Sequence, residues 1–235
     1  MVVLVTGASR GIGRALAAAA AREGHDVVVN YLKSAAQANA LVSELECCPG
    51  RVIAIQADVS AADEAKRLVE TTVERLGRID CVVNNAGSGA VIPLDVLDEA
   101  AFARTLQVNL ISAFLVSQAA WPHMKMNGGR LIFLSSGAAR TGGGLSAAYA
   151  ASKAGVEGLM HYYASTLRPY RITANAIAPT LVESDLINLM APQTTALPLG
   201  RLGRVEEMWP ALRMIIETEY LTGQTIHIDA GRYMT

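Results

Sequence analysis

The sequence predicts an α/β fold, in which a doubly wound parallel sheet of about seven strands carries helices on both faces. Apolar runs rich in Val and Ile alternate with longer helical stretches along the 235 residues, and such runs suit strands buried on both faces. Hydrophobic residues make up 51% of the chain but aromatic residues only 5%, so the core is built mainly from small aliphatic side chains. No Ser/Pro-rich linker, repeat or charge run interrupts the alternation, which predicts a single domain over residues 1–235.

Seven apolar runs mark the expected strands: Val2–Val5, Val27–Val29, Val52–Ile55, Cys81–Val83, Leu131–Leu134, Ile172–Ile177 and Thr225–Ile228. Gly24 is predicted to stop the helix that follows the first strand. Ser60 and Asp63 resemble a capping box that opens a helix ending before Gly77. The Cys47-Cys48 pair, directly before a proline, is predicted to close another helix.

Composition excludes several classes of function. With 20 Lys and Arg against 21 Asp and Glu, the net charge of −1 argues against a surface built for nucleic acid or an anionic membrane. Low charge combined with abundant small apolar residues excludes disorder. The longest apolar run, Ala15–Ala21, is far shorter than the ~20 residues of a membrane span. Three cysteines without metal-ligand spacing favour a reducing, cytoplasmic location and no metal site.

A glycine-rich turn joins the first strand to an alanine-rich helix. Its spacing, G-x-x-x-G-x-G over residues 7–13, lets backbone N–H groups approach a pyrophosphate at the helix N-terminus. An ordinary glycine turn is the alternative, but the position between first strand and first helix favours a dinucleotide site. The residues expected to contact the dinucleotide here are Gly7, Ser9, Arg10, Gly11, Ile12 and Gly13.

The end of the second strand indicates which dinucleotide is bound. An acidic residue there would bind the ribose hydroxyls of NAD, but this strand runs into Asn30 and then Lys33 without an acid. Arg10 in the glycine turn offers a fixed cation for a 2′-phosphate, and Lys33 a second one. Both cations can also be read as solvated surface residues. The pattern favours NADP(H) over NAD(H).

A second group of polar residues suggests acid–base chemistry. Tyr149 and Lys153 lie four residues apart on a predicted helix, hence on one face. A phenol with a pKa near ~10 becomes a better acid–base group beside a lysine cation. Ser135 and Ser136 end one predicted strand and Asn84–Gly87 ends another, and strand carboxyl ends border the ligand crevice in such sheets.

Taken in order, these motifs resemble the short-chain dehydrogenase/reductase family, most of all its 3-oxoacyl-acyl-carrier-protein reductases. The resemblance spans essentially the whole chain and implies a Rossmann-like fold. It rests on the glycine turn, Asp58-Val59, Asn84–Gly87, Val108-Asn109, Ser136, Tyr149 with Lys153, and the ending Thr222–Asp229.

The resemblance implies catalytic roles for four residues. Tyr149 would protonate the developing alkoxide, while Lys153 would hold the nicotinamide ribose and lower the phenol pKa. Ser136, rather than Ser135, would bind the substrate carbonyl, because it lies at the family's spacing before the tyrosine. Asn109 would anchor a water that relays protons to Lys153; taken alone, it reads as a polar residue inside a helix.

The resemblance also extends the cofactor site. Asp58, next to Val59, would contact the adenine, and the segment after the fourth strand would line the adenosine ribose. The additional cofactor residues are Asp58, Val59, Asn85, Ala86, Gly87, Tyr149, Lys153, Pro179, Val182 and Ser184.

The sequence departs from the family pattern after the sixth strand. Thr180 stands where a glycine is usual, which predicts a different backbone path, and Ser184 stands in place of a frequent threonine. The expected substrate lid, residues 184–198, is shorter than in typical relatives. A differently shaped pocket is therefore expected.

The resemblance implies an NADPH-dependent reductase of a ketone, most simply a 3-oxoacyl thioester. A general ketone reductase or secondary-alcohol dehydrogenase is the alternative, and a catalytically silent cofactor sensor or scaffold is a weaker one. Arg168 and Arg171, close to Lys125 and Arg130, would dock an acyl carrier protein unless they are simply solvated. A homotetramer is expected, with close approach at the small-residue face near Ala147–Gly158.

Overall fold

The structure, a computed structural model of the chain, describes residues 1–190 and 197–232. These residues form one parallel sheet of seven strands in the order β3-β2-β1-β4-β5-β6-β7. The predicted doubly wound sheet is confirmed. The strands are β1 Val2–Val5, β2 Asp26–Tyr31, β3 Val52–Gln56, β4 Cys81–Asn84, β5 Gly129–Leu134, β6 Ile172–Pro179 and β7 Thr225–Ile228.

Helices connect the strands and cover both faces of the sheet. A π-helical segment, Gln107–Ile111, joins the fourth helix to the fifth. The α-helices are α1 Gly11–Arg22, α2 Ala35–Glu44, α3 Ala62–Leu76, α4 Glu99–Leu106, α5 Ser112–Met124, α6 Ala138–Thr141, α7 Ala147–Thr166, α8 Asp185–Asn188 and α9 Trp209–Glu217.

Each face of the sheet has its own apolar core. Because side chains alternate along a strand, Leu4 of β1 and Val82 of β4 join one core, while Val3 and Val5 join the other. These side chains are fully or almost fully buried. The continuous apolar runs in the sequence are thus explained by burial on both faces.

The order of the strands reverses between β1 and β4, which are hydrogen-bonded neighbours. Chain segments leaving these two strands diverge to opposite sides of the sheet, so a crevice opens outside their carboxyl ends. The glycine turn after β1 and the polar segment after β4 meet at this crevice. The fold therefore places the predicted cofactor motifs together.

Two glycines end helices as the sequence predicts. Gly24 and Gly77 both adopt φ +85, the left-handed conformation that glycine enters without steric cost. The N–H of Gly77 donates to the carbonyl of Val73 at 2.8 Å, which satisfies one of the last carbonyls of α3.

The predicted capping box is wrong. Helix α3 begins at Ala62 after Ala61, which makes no side-chain cap, because the hydroxyl of Ser60 donates instead to Asp58 Oδ1 at 2.6 Å. The cysteine pair also lies later than expected: α2 ends at Glu44, so Cys47 and Cys48 occupy the turn beyond it.

One helical stretch, Glu99–Met124, is long and apolar enough by length and composition to cross a membrane. In the fold, its second half covers the sheet through Ala113, Val116 and Ala120, all of which are buried. Its apolar character is therefore used at least partly for core packing.

Replacing Leu131, a fully buried β5 residue, by alanine should lower the free energy of unfolding by about 2–5 kcal/mol, because the lost methyl groups leave a cavity. The matched change Leu94→Ala, at a residue that is 82% exposed, should stay within about 0.5 kcal/mol. Urea unfolding followed by circular dichroism measures both. Equal effects would contradict the assigned core.

Candidate active site

The glycine turn leaves the start of α1 open to an anion. Gly7 and Gly11 adopt φ +61 and +57, and Arg10 at the N-cap makes no side-chain cap to the first turn. A Cβ atom on Gly13 would lie 2.8 Å from the carbonyl oxygen of Gly7, so only glycine fits there. The uncapped N–H groups and the positive end of the helix dipole together suit a pyrophosphate.

Two asparagine side chains hold this turn in place. The Oδ1 atom of Asn30 accepts from the Gly7 N–H at 3.1 Å, and its Nδ2 donates to the carbonyls of Ile55 and Ala57. Nδ2 of Asn85 donates to the carbonyls of Thr6 and Gly7. The Asn30 side chain is 1% exposed and bonded within the protein, so it supports the turn, and the cofactor contact expected of Asn30 stays a prediction.

The other predicted residues of the adenosine side lie around the same turn. Asp58 uses Oδ1 to accept from the N–H and hydroxyl of Ser60, and Val59 beside it is buried. Arg10 and Lys33 are exposed at the surface of the turn and after β2. Their exposure leaves them in reach of a ligand phosphate rather than in the core.

Tyr149 and Ser136 meet at the carboxyl end of β5. Ser146 caps α7 by accepting from the Tyr149 N–H at 3.2 Å, which fixes the first turn and buries the ring to 8% exposure. The Ser136 hydroxyl lies near enough to the Tyr149 phenol to lower its pKa. The Ser135 hydroxyl donates to Glu157 Oε1 at 2.7 Å. Ser136 rather than Ser135 is therefore the hydroxyl that acts on the phenol, and its role towards a substrate stays a prediction.

Burial dominates the electrostatics of the Tyr149–Lys153 pair. It raises the pKa of Tyr149, an effect only partly offset by the nearby Ser136 hydroxyl, and it lowers the pKa of Lys153 to about 8. Nζ of Lys153 lies 5.8 Å from the Tyr149 ring centroid and donates to the Leu134 carbonyl at 2.6 Å. Burial thus determines the direction of the Tyr149 shift, and the expectation that the Lys153 cation lowers the phenol pKa stays a prediction.

Asn109 acts through its side chain as a clamp. Oδ1 accepts from the N–H of Ser88 at 2.7 Å, and Nδ2 donates to the carbonyl of Ser88 and the hydroxyl of Ser152. Ser152 in turn donates to the carbonyl of Tyr149 at 2.7 Å. The amide thus ties the segment after β4 to the first turn of α7, and it has no remaining N–H for a water.

Ser88 and Ser152 are the residues that the sequence reading missed. Ser152 lies directly before Lys153 inside the Tyr-x-x-x-Lys motif, so a signal was available. Ser88 follows Gly87, whose missing side chain leaves room: a Cβ there would lie 3.3 Å from Asn109 Oδ1 and 3.7 Å from Lys153 Nζ. That close approach explains the glycine, but the pattern of the sequence does not reveal Ser88 as its partner.

A cavity of about 350 Å³ opens beside the Tyr149–Ser136 pair. Its walls are mostly apolar, and it reaches from the glycine turn to the segment after β6. The lining residues that the structure describes are Ile12, Ser135, Ser136, Ala138, Thr141, Gly143, Gly144, Leu145, Tyr149, Pro179, Thr180, Leu181, Val182, Ser184, Ile187, Met190 and Arg232.

The segment after β6 takes an unusual backbone path one residue later than expected. Thr180 keeps an ordinary φ and donates its N–H to the Ile228 carbonyl at 3.0 Å, while Leu181 adopts φ +55. Ser184 caps α8 by accepting from the Ile187 N–H, and its hydroxyl also donates to the Val182 carbonyl. The expected lid covers residues 184–198. Its residues 191–196, among them Pro192, Thr194 and Thr195, lie outside the part of the chain that the structure describes.

The four basic residues considered for carrier docking do not form one patch. Arg130 points inward: its side chain is 11% exposed and Nε donates to the Ile216 carbonyl at 3.1 Å. Lys125, Arg168 and Arg171 are exposed, with Lys125 Nζ 4.4 Å from the Trp121 ring centroid. Arg130 is thereby removed from the expected docking set.

Comparisons with known proteins agree with this arrangement. A family model described as short chain dehydrogenase matches residues 1–194. A 3-oxoacyl-[acyl-carrier-protein] reductase from Synechocystis is 40% identical, over 99% of this chain and 97% of the relative. Among solved structures, a blue fluorescent protein from a metagenomic library in complex with NADPH superposes with a TM-score of 0.91 at 32% identity, covering 99% of this chain and 98% of that one. An NADH-dependent reductase responsible for alginate metabolism gives 0.90 at 31%, covering 100% and 97%.

The lowered pKa of Lys153 should be visible in the stability of the protein. In the unfolded chain the amine titrates near its ordinary value of 10.5, whereas in the fold it titrates at about 8. Between these values the unfolded state binds more protons, so the free energy of unfolding should rise with pH, by at most about 1.4 kcal/mol per pH unit. Lys153→Met should remove that contribution in denaturant unfolding between pH 8 and 10. Lys66→Met, at a side chain that is 68% exposed, should leave it, and a slope that survives Lys153→Met would contradict the assignment.

Proposed function

The chain belongs to the short-chain dehydrogenase/reductase family of oxidoreductases, and from that premise we propose that it reduces a ketone to a secondary alcohol with NADPH, acting on a 3-oxoacyl thioester. The observation that carries the proposal is that Tyr149 and Ser136 both line one largely apolar cavity. Two hydroxyl groups on the wall of one cavity suit the recognition of a carbonyl oxygen.

The residues present fit a nicotinamide dinucleotide. The open N-terminus of α1 and the close-packed glycines suit its pyrophosphate, and the cavity extends from Ile12 to Val182, the side expected to hold the nicotinamide. When bound, that ring supplies the hydride. In this proposal Lys153, buried at 6% exposure beside Gly87, would hold the ribose next to it.

Tyr149 is the proton donor in this proposal. A phenol kept neutral at physiological pH carries the proton that the developing alkoxide needs, and Ser136 donates a second hydrogen bond to the same oxygen. The product is then a secondary alcohol, with Tyr149 left as phenolate beside the Lys153 cation. Below a pH of about 8 that lysine remains charged and stabilises the phenolate.

The charges of the turn support NADPH over NADH. Arg10 is exposed in the turn between β1 and α1, and Lys33 is exposed just after β2. Strand β2 itself ends in Asn30 and Tyr31 rather than in an acidic residue. A guanidinium pairs well with the 2′-phosphate of NADPH. For NADH, the protein offers at the end of β2 no carboxylate that could bind the ribose hydroxyls.

The thioester substrate rests on the curated relative that is a 3-oxoacyl-[acyl-carrier-protein] reductase. An acyl carrier protein would meet Lys125, Arg168 and Arg171, the exposed cations beyond α5 and α7. A simple ketone as substrate is the alternative, in keeping with the apolar cavity. Acetoacetyl thioesters compared with simple ketones separate the two: fast ketone turnover without thioester turnover would reject the thioester proposal.

A homotetramer belongs to the same proposal. Helix α7 exposes the small residues Ala147, Ala151, Ala154 and Gly158 along one face, and α5 exposes Phe114 to 41%. Small residues permit the close approach of helices from a second copy. Sedimentation velocity measures the assembly, and a monomer at micromolar concentration would contradict it.

Tyr149→Phe should lower kcat for ketone reduction by at least about a hundredfold, because general acid catalysis contributes roughly 10²–10⁴, while NADPH binding measured by fluorescence changes little. Tyr162→Phe, at a ring that is 65% exposed, is the matched control and should retain activity. Full turnover by Tyr149→Phe would remove Tyr149 as the acid.

Arg10→Ala should raise the KM for NADPH about tenfold or more and leave that for NADH nearly unchanged, because only NADPH has the 2′-phosphate. Asn30→Ala is the contrasting variant. It leaves the Gly7 N–H without its partner and should weaken both cofactors alike, with a lower melting temperature. Equal effects of Arg10→Ala on the two cofactors would show that Arg10 is not the phosphate partner.

A further inference from the structure

The catalytic cavity ends at a contact between a methionine and a glycine. Met190 packs against the small apolar cluster of Ala138, Leu145 and Tyr149, and both Met190 and Gly144 line the cavity. The end of the Met190 side chain occupies the space in front of Gly144: a Cβ atom built there would lie 2.6 Å from Met190 Cε.

That contact involves no other side chain in the part of the chain that the structure describes. Within 4 Å of the added Cβ, the only atoms are Cε and Sδ of Met190. Gly144 also has a φ outside the left-handed region, so its backbone accepts alanine. The absence of a side chain at Gly144 is therefore explained by the thioether in front of it and not by backbone conformation.

A second cavity, of about 300 Å³, lies along the same stretch of backbone. It shares Gly143, Gly144 and Leu145 with the catalytic cavity. Its far wall is the segment 91–93, which is tied down by the Ile92 N–H donating to the Leu145 carbonyl at 2.9 Å.

The second cavity is open, and apolar side chains are exposed at and beside its rim. Val91 is 50% exposed and Leu94, just beyond it, is 82% exposed. The two cavities thus share one stretch of wall, Gly143–Leu145, between Tyr149 and an exposed apolar surface. A path past Gly144 would suit a hydrocarbon chain, because burying methylene groups against apolar walls is favourable.

We propose that Met190 and Gly144 together set the length of the acyl chain that the site accepts, with the chain running from the ketone at Tyr149 towards the second cavity. The proposal rests on the proposed reduction of 3-oxoacyl substrates. Methionine is unbranched and flexible, so its side chain can fill the Gly144 space behind a short acyl group and limit the room for a longer one.

The test measures kcat/KM for N-acetylcysteamine thioesters of 3-oxobutanoate and 3-oxooctanoate, and takes the ratio of the long to the short substrate. Met190→Ala should raise this ratio at least tenfold, because the path past Gly144 widens. Gly144→Ala should lower it by a similar factor, since the added methyl displaces the thioether into the cavity.

The double variant G144A/M190A makes the test specific. Once the Met190 thioether is removed, the methyl group added at Gly144 no longer meets it. The ratio of long to short substrate in the double variant should therefore resemble that of Met190→Ala, and should differ from the value obtained by multiplying the two single-variant effects. The matched control is Met126→Ala, at a residue that is 83% exposed. It should leave the ratio and the melting temperature unchanged.

Each outcome decides between the proposals. Turnover of thioesters with a ratio unaffected by either single variant, or strictly multiplicative effects in the double variant, overturns the chain-length proposal and leaves the proposed function standing. If the wild type reduces only simple ketones, the same ratio is measured with 2-butanone and 2-octanone, and the same shifts support the proposal. If it reduces no ketone, the proposed function and this inference both fail.

Discussion

The site depends on one constraint: backbone polar groups at the ends of buried parallel strands need hydrogen-bond partners where the sheet itself supplies none. Four asparagines meet this need. Asn30 and Asn85 hold the glycine turn, Asn109 holds the segment after β4, and Asn175 joins β6 to the loop before β7 by bonding the Leu221 carbonyl and the Gln224 N–H. Short amide side chains both donate and accept, so each one fixes two or more backbone groups at once.

Burial of the same edge shifts the pKa values of two side chains of α7 in opposite directions. Tyr149 and Lys153 lie one helical turn apart and are both desolvated, and removal of water favours the neutral form of each. The phenol therefore keeps its proton more firmly, while the lysine gives its proton up more easily. Burial therefore moves the two pKa values apart, with the proton held more firmly on Tyr149 than on Lys153.

The sequence predicts the framework well because the framework depends on repeated patterns. The seven apolar runs coincide with the seven strands, and the positive φ of Gly24 and Gly77 follows from their places after helices. Tyr149 and Lys153 are found because their spacing puts them on one helix face. All of these features are predictable because they depend on residues that are close together in the sequence.

Other features escape prediction because they depend on which way one side chain turns. Asn30 ends a strand, and nothing in its position tells whether the amide faces the ligand or the glycine turn. The Ser60 hydroxyl could bond either to Asp58 or to the first turn of α3, and in the structure it donates to Asp58. The left-handed conformation passes to Leu181 rather than Thr180, since the Thr180 N–H is committed to the Ile228 carbonyl.

The π-helical segment at Gln107–Ile111 has a consequence for how this region can vary. A π turn holds one residue more than an α turn, so the face of α5 is rotated by about 100° from where an unbroken helix would carry it. Asn109 lies inside that turn, while Ala113 and Val116 pack on the sheet beyond it. Deleting one residue here would restore regular winding and yet turn either the amide away from Ser88 or the apolar stripe away from the core. Insertions and deletions should therefore be as poorly tolerated in this helix as in a strand, although most of its surface faces outward.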